Sequence, residues 1–186
     1  KEAISTALKH LADREHGVIK LLTPPFGGVS DGMSQSPGYI AAYPPGVREN
    51  GAQYTHAAIW LAKAFLMEED SETGYELVSM INPVNHSRTL AEANVYKSEP
   101  YAVAADVLSE GKNAGRGGWT WYTGSASWLY RVILEDMLGV RRCGDVLEVN
   151  PRLPAEWRGN ASVSVKVYGK IYDIDLGKGK QIIKIV

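Results

Sequence analysis

Cys143 is the only cysteine among 186 residues, so no disulfide can form within the chain and a reducing compartment suits it. An excess of charge of one sign is lacking too. Twenty Lys and Arg stand against 21 Asp and Glu, a net charge of −1, which leaves no electrostatic footprint for nucleic acid or an anionic lipid surface. The longest apolar stretch, residues 57–67, is interrupted by Lys63 and falls far short of the ~20 residues that span a bilayer. Zinc-ligand spacing, a G-x-S-x-G elbow, a dinucleotide fingerprint and a Walker loop are all missing. The chain opens at Lys1 inside a helical pattern, without an initiator Met or signal peptide, and reads as a piece of a longer polypeptide. What is present is ordinary globular material, 45% hydrophobic and 22% charged, long enough for one large domain or two small ones.

Apolar spacing predicts a helix over residues 1–14 (Ala3, Ile4, Ala7, Leu8, Leu11). A turn-rich stretch follows over 22–45, carrying Pro24, Pro25, Pro37, Pro44 and Pro45; a loop that long in a compact domain favours function. Asn50 is placed to cap a helix from about 51 to 67, and shorter helices are expected over 72–81 and 100–109. A glycine-rich loop at 111–118 leads to an amphipathic helix over 124–138, stopped by Gly139. Beyond Gly139 the period changes. Residues 146–149, 162–167, 171–176 and 181–186 alternate or carry β-branched side chains between glycines. Helices followed by short strands imply an all-α part and an all-β part. Four strands are few for a sandwich, so they are expected to pair with strands elsewhere in a longer chain.

Two polar clusters stand out. In residues 43–56, YPPGVRENGAQYTH, Arg48 and Glu49 precede the helix, and helical spacing puts Gln53, His56, Trp60 and Lys63 on one face. That pattern fits a ligand site or a capped helix with a satisfied histidine. In residues 115–125, GRGGWTWYTGS, glycines admit close approach and Trp119, Trp121 and Tyr122 offer stacking faces. Thr123-Gly124-Ser125 opens a helix whose free N–H groups suit an anion, phosphate first. The other reading is a Thr/Ser-capped helix with its aromatics in the core. Glu99 and Asp106 are further carboxylates for sugar hydroxyls, with a helix cap as the alternative for Glu99. The residues by themselves support a pocket for an anion and a polyol.

At these clusters the sequence resembles a known family. YPPGVRENGAQYTHAAIW, INPVNHSRT, YKSEPYAVAADV and GRGGWTWYTGSASWLYRVILE closely resemble glycoside hydrolase family 94, which holds cellobiose, chitobiose and cellodextrin phosphorylases and the phosphorylase-like end of cyclic β-1,2-glucan synthases. The fold implied is mostly α with a C-terminal β part. Residues 1–139 would be the C-terminal part of an (α/α)6 barrel and residues 140–186 a jelly-roll β-sandwich piece. The resemblance implies sugar contacts for Arg48 and Glu49 and phosphate contacts for His56, Thr123 and Gly124. Gln53, Trp121 and Tyr122 are added to the sugar set.

The reaction implied is reversible phosphorolysis of a β-linked glucan with inversion, using inorganic phosphate as co-substrate and neither cofactor nor metal. The general acid would be an aspartate upstream of the ENG motif; Asp13 lies too near Glu49, so no catalytic residue is assigned within this stretch. PPGVRENGxQYTHAA and NPVNH look like the β-1,2-glucan branch. Ala104-Ala105 occupy the region where disaccharide phosphorylases usually carry a sugar-binding glutamine. Chain-length control as in cyclic glucan synthases is the expected role, with a cellobiose-type phosphorylase fragment, a non-catalytic glucan-binding or scaffold domain, and a hydrolase of another α/α-barrel family as alternatives. The partners implied are a β-glucan oligosaccharide, phosphate and the upstream barrel half, with a homodimer admitted and neither nucleic acid nor a membrane segment. A cytoplasmic location is expected, with the parent attached to the inner membrane. The isolated stretch is expected to be catalytically silent and only marginally stable, or self-associating.

Overall fold

The computed structural model describes residues 1–27, 37–121 and 123–185. Five helices come first: α1 (Glu2–Leu11), α2 (Thr55–Met67), α3 (Ser71–Ile81), α4 (Leu90–Tyr96) and α5 (Ser125–Arg131), the last continuing as a π-turn over Val132–Met137. Two short ladders sit among them, β1 (Ala12–Asp13) with β2 (Val18–Ile19) and β3 (Gln53–Tyr54) with β4 (Asp106–Val107), both antiparallel. Strands β5 (Val140–Cys143), β6 (Val146–Val149), β7 (Ser162–Val167), β8 (Lys170–Asp175) and β9 (Gln181–Lys184) follow.

The helical core forms because α2 is apolar on adjoining faces. Ala58, Ile59, Ala62, Phe65 and Leu66 are buried and pack against Leu77, Val78 and Ile81 of α3. Asp70 caps α3 by accepting the Thr73 N–H at 3.1 Å. The strands build a second core from Val140, Leu147, Val149, Leu153, Ile174, Leu176 and Ile185. They pair with one another: β5–β6–β9 form a three-stranded antiparallel sheet and β7–β8 a hairpin. The strand β5 was not foreseen. Trp157 packs against both cores.

Three other expectations change. The helix expected from residue 51 begins only at Thr55, because Gln53 and Tyr54 are committed to the ladder with Val107 and Asp106. Asn50 therefore caps nothing; it pins the preceding loop. No helix forms over 100–109, since Ala105, Asp106 and Leu108 spend their backbone groups on β3 and on the glycine-rich segment beside it. The helix of that region is α4, announced by a Thr89/Glu92 capping box that went unread. The helix expected over 124–138 widens into the π-turn, and Gly139 (φ 73°) then turns the chain into β5.

Candidate functional site

The two polar clusters are neighbours because their backbones pair. β3 joins β4, Val107 bridges to Gly117 on the far side, and Ala105 N–H donates to Trp119 O at 2.6 Å. Residues 46–50 form a tight turn in which Gly46 N–H donates to Asn50 O (2.8 Å) and Asn50 N–H to Val47 O (3.0 Å). Within it Arg48 sits at φ 51°, a left-handed conformation unusual for a residue with a side chain. The Asn50 side chain holds this turn: Oδ1 accepts the Phe26 N–H (2.8 Å), and Nδ2 donates to Phe26 O (3.0 Å) and Tyr43 O (2.8 Å).

Arg48 is aimed by two carboxylates. Its Nη1 lies 3.6 Å from Asp106 Oδ1 and its Nε 3.8 Å from Glu49 Oε2. Asp106 is 2% exposed and also accepts the Trp119 N–H at 3.1 Å. Burial raises the Asp106 carboxyl above the ordinary range; the Glu49 charge pushes the same way, while the Trp119 N–H and Arg48 pull it down. Gly118 is required beside it, because a Cβ there would meet the Asp106 carboxylate oxygens at 2.5 and 2.6 Å.

His56, in the first turn of α2, lies against Trp60 (4.8 Å between ring centroids, edge-on) and Trp128 (5.8 Å), which themselves meet at 5.6 Å. Trp128 is one turn into α5, so the same contact brings His56 to the helix headed by Gly124. A cavity of about 290 Å³ opens here, lined by Glu49, His56, Trp60, Tyr39, Tyr54 and others. Arg48 Nε, Glu49 Oε2 and His56 Nε2 are sealed from solvent and have no hydrogen-bond partner. Buried polar atoms are nearly always hydrogen-bonded; here Arg48 Nε and Glu49 Oε2 face each other only at ion-pair distance, and His56 Nε2 has no hydrogen bond among the described residues.

On the second cluster, Trp121 (φ 62°) and Trp119 are more than half exposed. Trp121 Nε1 donates to Glu99 Oε1 at 3.1 Å, and its ring meets Tyr101 edge-on at 6.3 Å. The Glu99 carboxyl is held below its ordinary range, first by its own backbone N–H and then by the Trp121 indole. Thr123 Oγ1 accepts the Ser125 N–H (3.2 Å), and Gly124 stands at the head of α5. Tyr122 lies outside the described residues.

Of the site residues read from the sequence, Arg48, Glu49 and His56 come together, and Trp121, Thr123 and Gly124 follow on the adjoining loop. Gln53 does not join them. It is 1% exposed, accepts the Ile19 N–H at 2.9 Å and reaches Thr55 Oγ1 at 3.4 Å, so its amide ties β2 to the start of α2. Lys63 also leaves the group, donating to Asp136 at 2.6 Å. Reading the sequence missed Trp128 as a wall of the His56 site and Asp106 as the link between the two loops. Trp128 lay four residues after Gly124, a helical neighbour of the very glycine singled out. A larger cleft, about 960 Å³ between the β1–β2 turn, α3 and α4, lies elsewhere. There Arg14 pairs with Glu76 at 2.6 Å, Arg88 donates to Asn85 Oδ1 and Glu92 belongs to the Thr89 capping box.

The sequence pattern of the glycosyl hydrolase 94 superfamily catalytic domain matches residues 1–139. The cyclic β-(1,2)-glucan synthase NdvB of Rhizobium meliloti is 48% identical over 176 residues, covering 95% of this chain and 6% of that protein. The N,N'-diacetylchitobiose phosphorylase of Vibrio furnissii is 31% identical over 76% of this chain and 17% of its own length. The 1,2-β-oligoglucan phosphorylase of Listeria innocua is 27% identical over 60% of this chain and 12% of its own. The chain thus spans less than a fifth of the length of each of these three relatives. With its helical part matched throughout by the catalytic-domain pattern, the chain belongs to glycoside hydrolase family 94.

Proposed function

We propose that this chain supplies the sugar- and phosphate-binding side of an inverting β-glucan phosphorylase or glycosyl-transfer site. The observation that carries the reading is the trio of sealed atoms without a hydrogen bond, Arg48 Nε, Glu49 Oε2 and His56 Nε2, beside a cavity walled by aromatic rings. A carboxylate and a guanidinium suit sugar hydroxyls, and an imidazole beside a helix start suits phosphate. In this reading Arg48 and Glu49 orient the sugar, while His56, Thr123 and Gly124 hold inorganic phosphate, the co-substrate. A phosphate oxygen forms the new bond to the anomeric carbon as the glycosidic C–O bond breaks. The proton for the leaving oxygen comes from a carboxylic acid in an upstream segment. Trp121 and Tyr101 offer ring faces to an oligosaccharide.

Residues 1–139 would then close an (α/α)6 barrel with that upstream half, and 140–186 would be a jelly-roll piece. The names of the NdvB and Listeria relatives support a β-1,2-linked glucan, and control of its chain length is part of the same proposal. The same reading places the site on the cytoplasmic side of a membrane-attached parent. Among the described residues no helix is long and apolar enough to cross a membrane.

The test incubates the intact protein with phosphate and either β-1,2-glucan oligosaccharides or cellobiose, and assays sugar 1-phosphate. Release from the β-1,2-glucan alone is expected, and His56→Ala should lower it on the order of 10²-fold, as removal of a fixed charge-stabilising donor does. Release from cellobiose alone would move the chain to the disaccharide enzymes. No release from either would sink the catalytic reading in favour of a glucan-binding domain.

A further inference from the structure

A second cleft, of about 500 Å³, opens where the turn between α2 and α3 meets the strand-rich part. Glu69, Ser71, Asn150, Arg152, Arg158 and Lys180 line it, none of them part of the site above. Three cations and one carboxylate thus share the cleft, and none of the three cations forms an ion pair among the described residues. Both arginines touch only backbone carbonyls there. Arg152 Nη1 donates to Asp136 O and Arg158 Nε to Leu153 O, each at 3.3 Å.

Arg152 Nε is sealed from solvent and finds no acceptor. A guanidinium donor desolvated without a partner is destabilising, and an oxyanion in the cleft would relieve it. Gly159 and Gly179 are also in the lining and add no side chain to it. In the larger cleft beside α3 and α4, Arg14 is paired with Glu76 and Arg88 donates to Asn85 Oδ1, and neither has a sealed nitrogen without an acceptor.

We propose that this cleft is a second anion site, built to take a phosphate group, free or carried on a sugar. Two forked guanidinium groups match the tetrahedral oxyanion and supply fixed donor pairs. Lys180 adds a third charge, and the excess of two positive charges over Glu69 suits a dianion better than a single carboxylate. The volume leaves room for a sugar ring attached to the phosphate.

Calorimetric titration of the intact protein separates this site from the one at His56. In a His56→Ala background, inorganic phosphate or a hexose 1-phosphate should still bind with a stoichiometry of one. Adding Arg158→Gln and Lys180→Gln, both exposed side chains whose loss leaves the cores untouched, should weaken that binding at least tenfold. A tighter response to the hexose 1-phosphate assigns the cleft to the ester, and a tighter response to inorganic phosphate assigns it to the free anion. Loss of all binding in His56→Ala alone, or residual binding indifferent to the two added changes, overturns the proposal. The reading of His56 fails by a different result, namely full two-site binding that survives His56→Ala.

Discussion

Asp106 is where the two loops of the site converge, and its protonation couples the site to pH. It accepts from the Trp119 N–H, lies 3.6 Å from Arg48 and is almost wholly buried. Burial raises its carboxyl above the ordinary 3.8, so the folded chain binds that proton more tightly than the unfolded chain. A raised carboxylate value means that stability is lost as pH rises through the folded value and regained as pH falls. Asn at this position keeps an acceptor for Trp119 but does not titrate. The wild type should therefore gain stability relative to Asp106→Asn as pH falls from neutral toward 3.8, then hold a constant difference below it. Urea midpoints of the two proteins across that range check the sign, and a gap that stays constant or widens the other way would contradict it. Glu49, Arg48 and His56 were legible in the sequence because a short motif carries them. The partner role of Asp106 was not, because it depends on a ladder joining residues more than 50 apart in sequence.

Among the elements, the turn before α2 shows how tertiary pairing overrides local preference. Asn50 carries the residue type and position of a helix cap, yet the ladder with β4 delays the helix to Thr55. The freed amide makes three hydrogen bonds to Phe26 and Tyr43, at 1% exposure. Asn50→Ala would leave one N–H and two carbonyls without those partners, at about 2–4 kcal/mol by the usual cost of such orphans. It should also loosen the turn that holds Arg48 at φ 51°, so kcat/KM for the proposed phosphorolysis should fall along with the thermal midpoint. A normal midpoint with normal activity would show that the turn holds itself. The expected helix over 100–109 failed for a related reason. A segment flanked by two backbone partners becomes a strand whatever its propensity, whereas α3, and the hairpin strands β7 and β8, follow local pattern and appeared close to where periodicity put them.

Over the whole molecule, the change from helix to strand at Gly139 was visible as a change of period, but the joint between the two parts was not. That joint combines a local ion pair at Arg141 with contacts between residues far apart in sequence. Lys63 and Arg141 both reach the buried Asp136, and Glu72 Oε1 accepts the Ala155 N–H at 2.6 Å. Trp157 packs on both cores, with its ring 5.0 Å from Tyr75. Two cores that share side chains and ion pairs lose contacts together, so the intact chain should unfold over this region in one transition. Trp157→Ala removes the shared side chain while leaving each core's own buried residues in place. Because Trp157 is only half-buried, the loss should be about 2 kcal/mol, below the 3–5 typical of fully buried aromatics. Hydrogen exchange during urea titration reads the two parts separately. In the wild type, α2 and α3 should lose protection at the same urea concentration as β6 and β8. In Trp157→Ala the two parts should lose protection at different urea concentrations, because the side chain that packs on both cores is gone. If the two parts stay synchronous in the variant, the Asp136 ion pairs and the Glu72–Ala155 bond are enough to couple them without the indole.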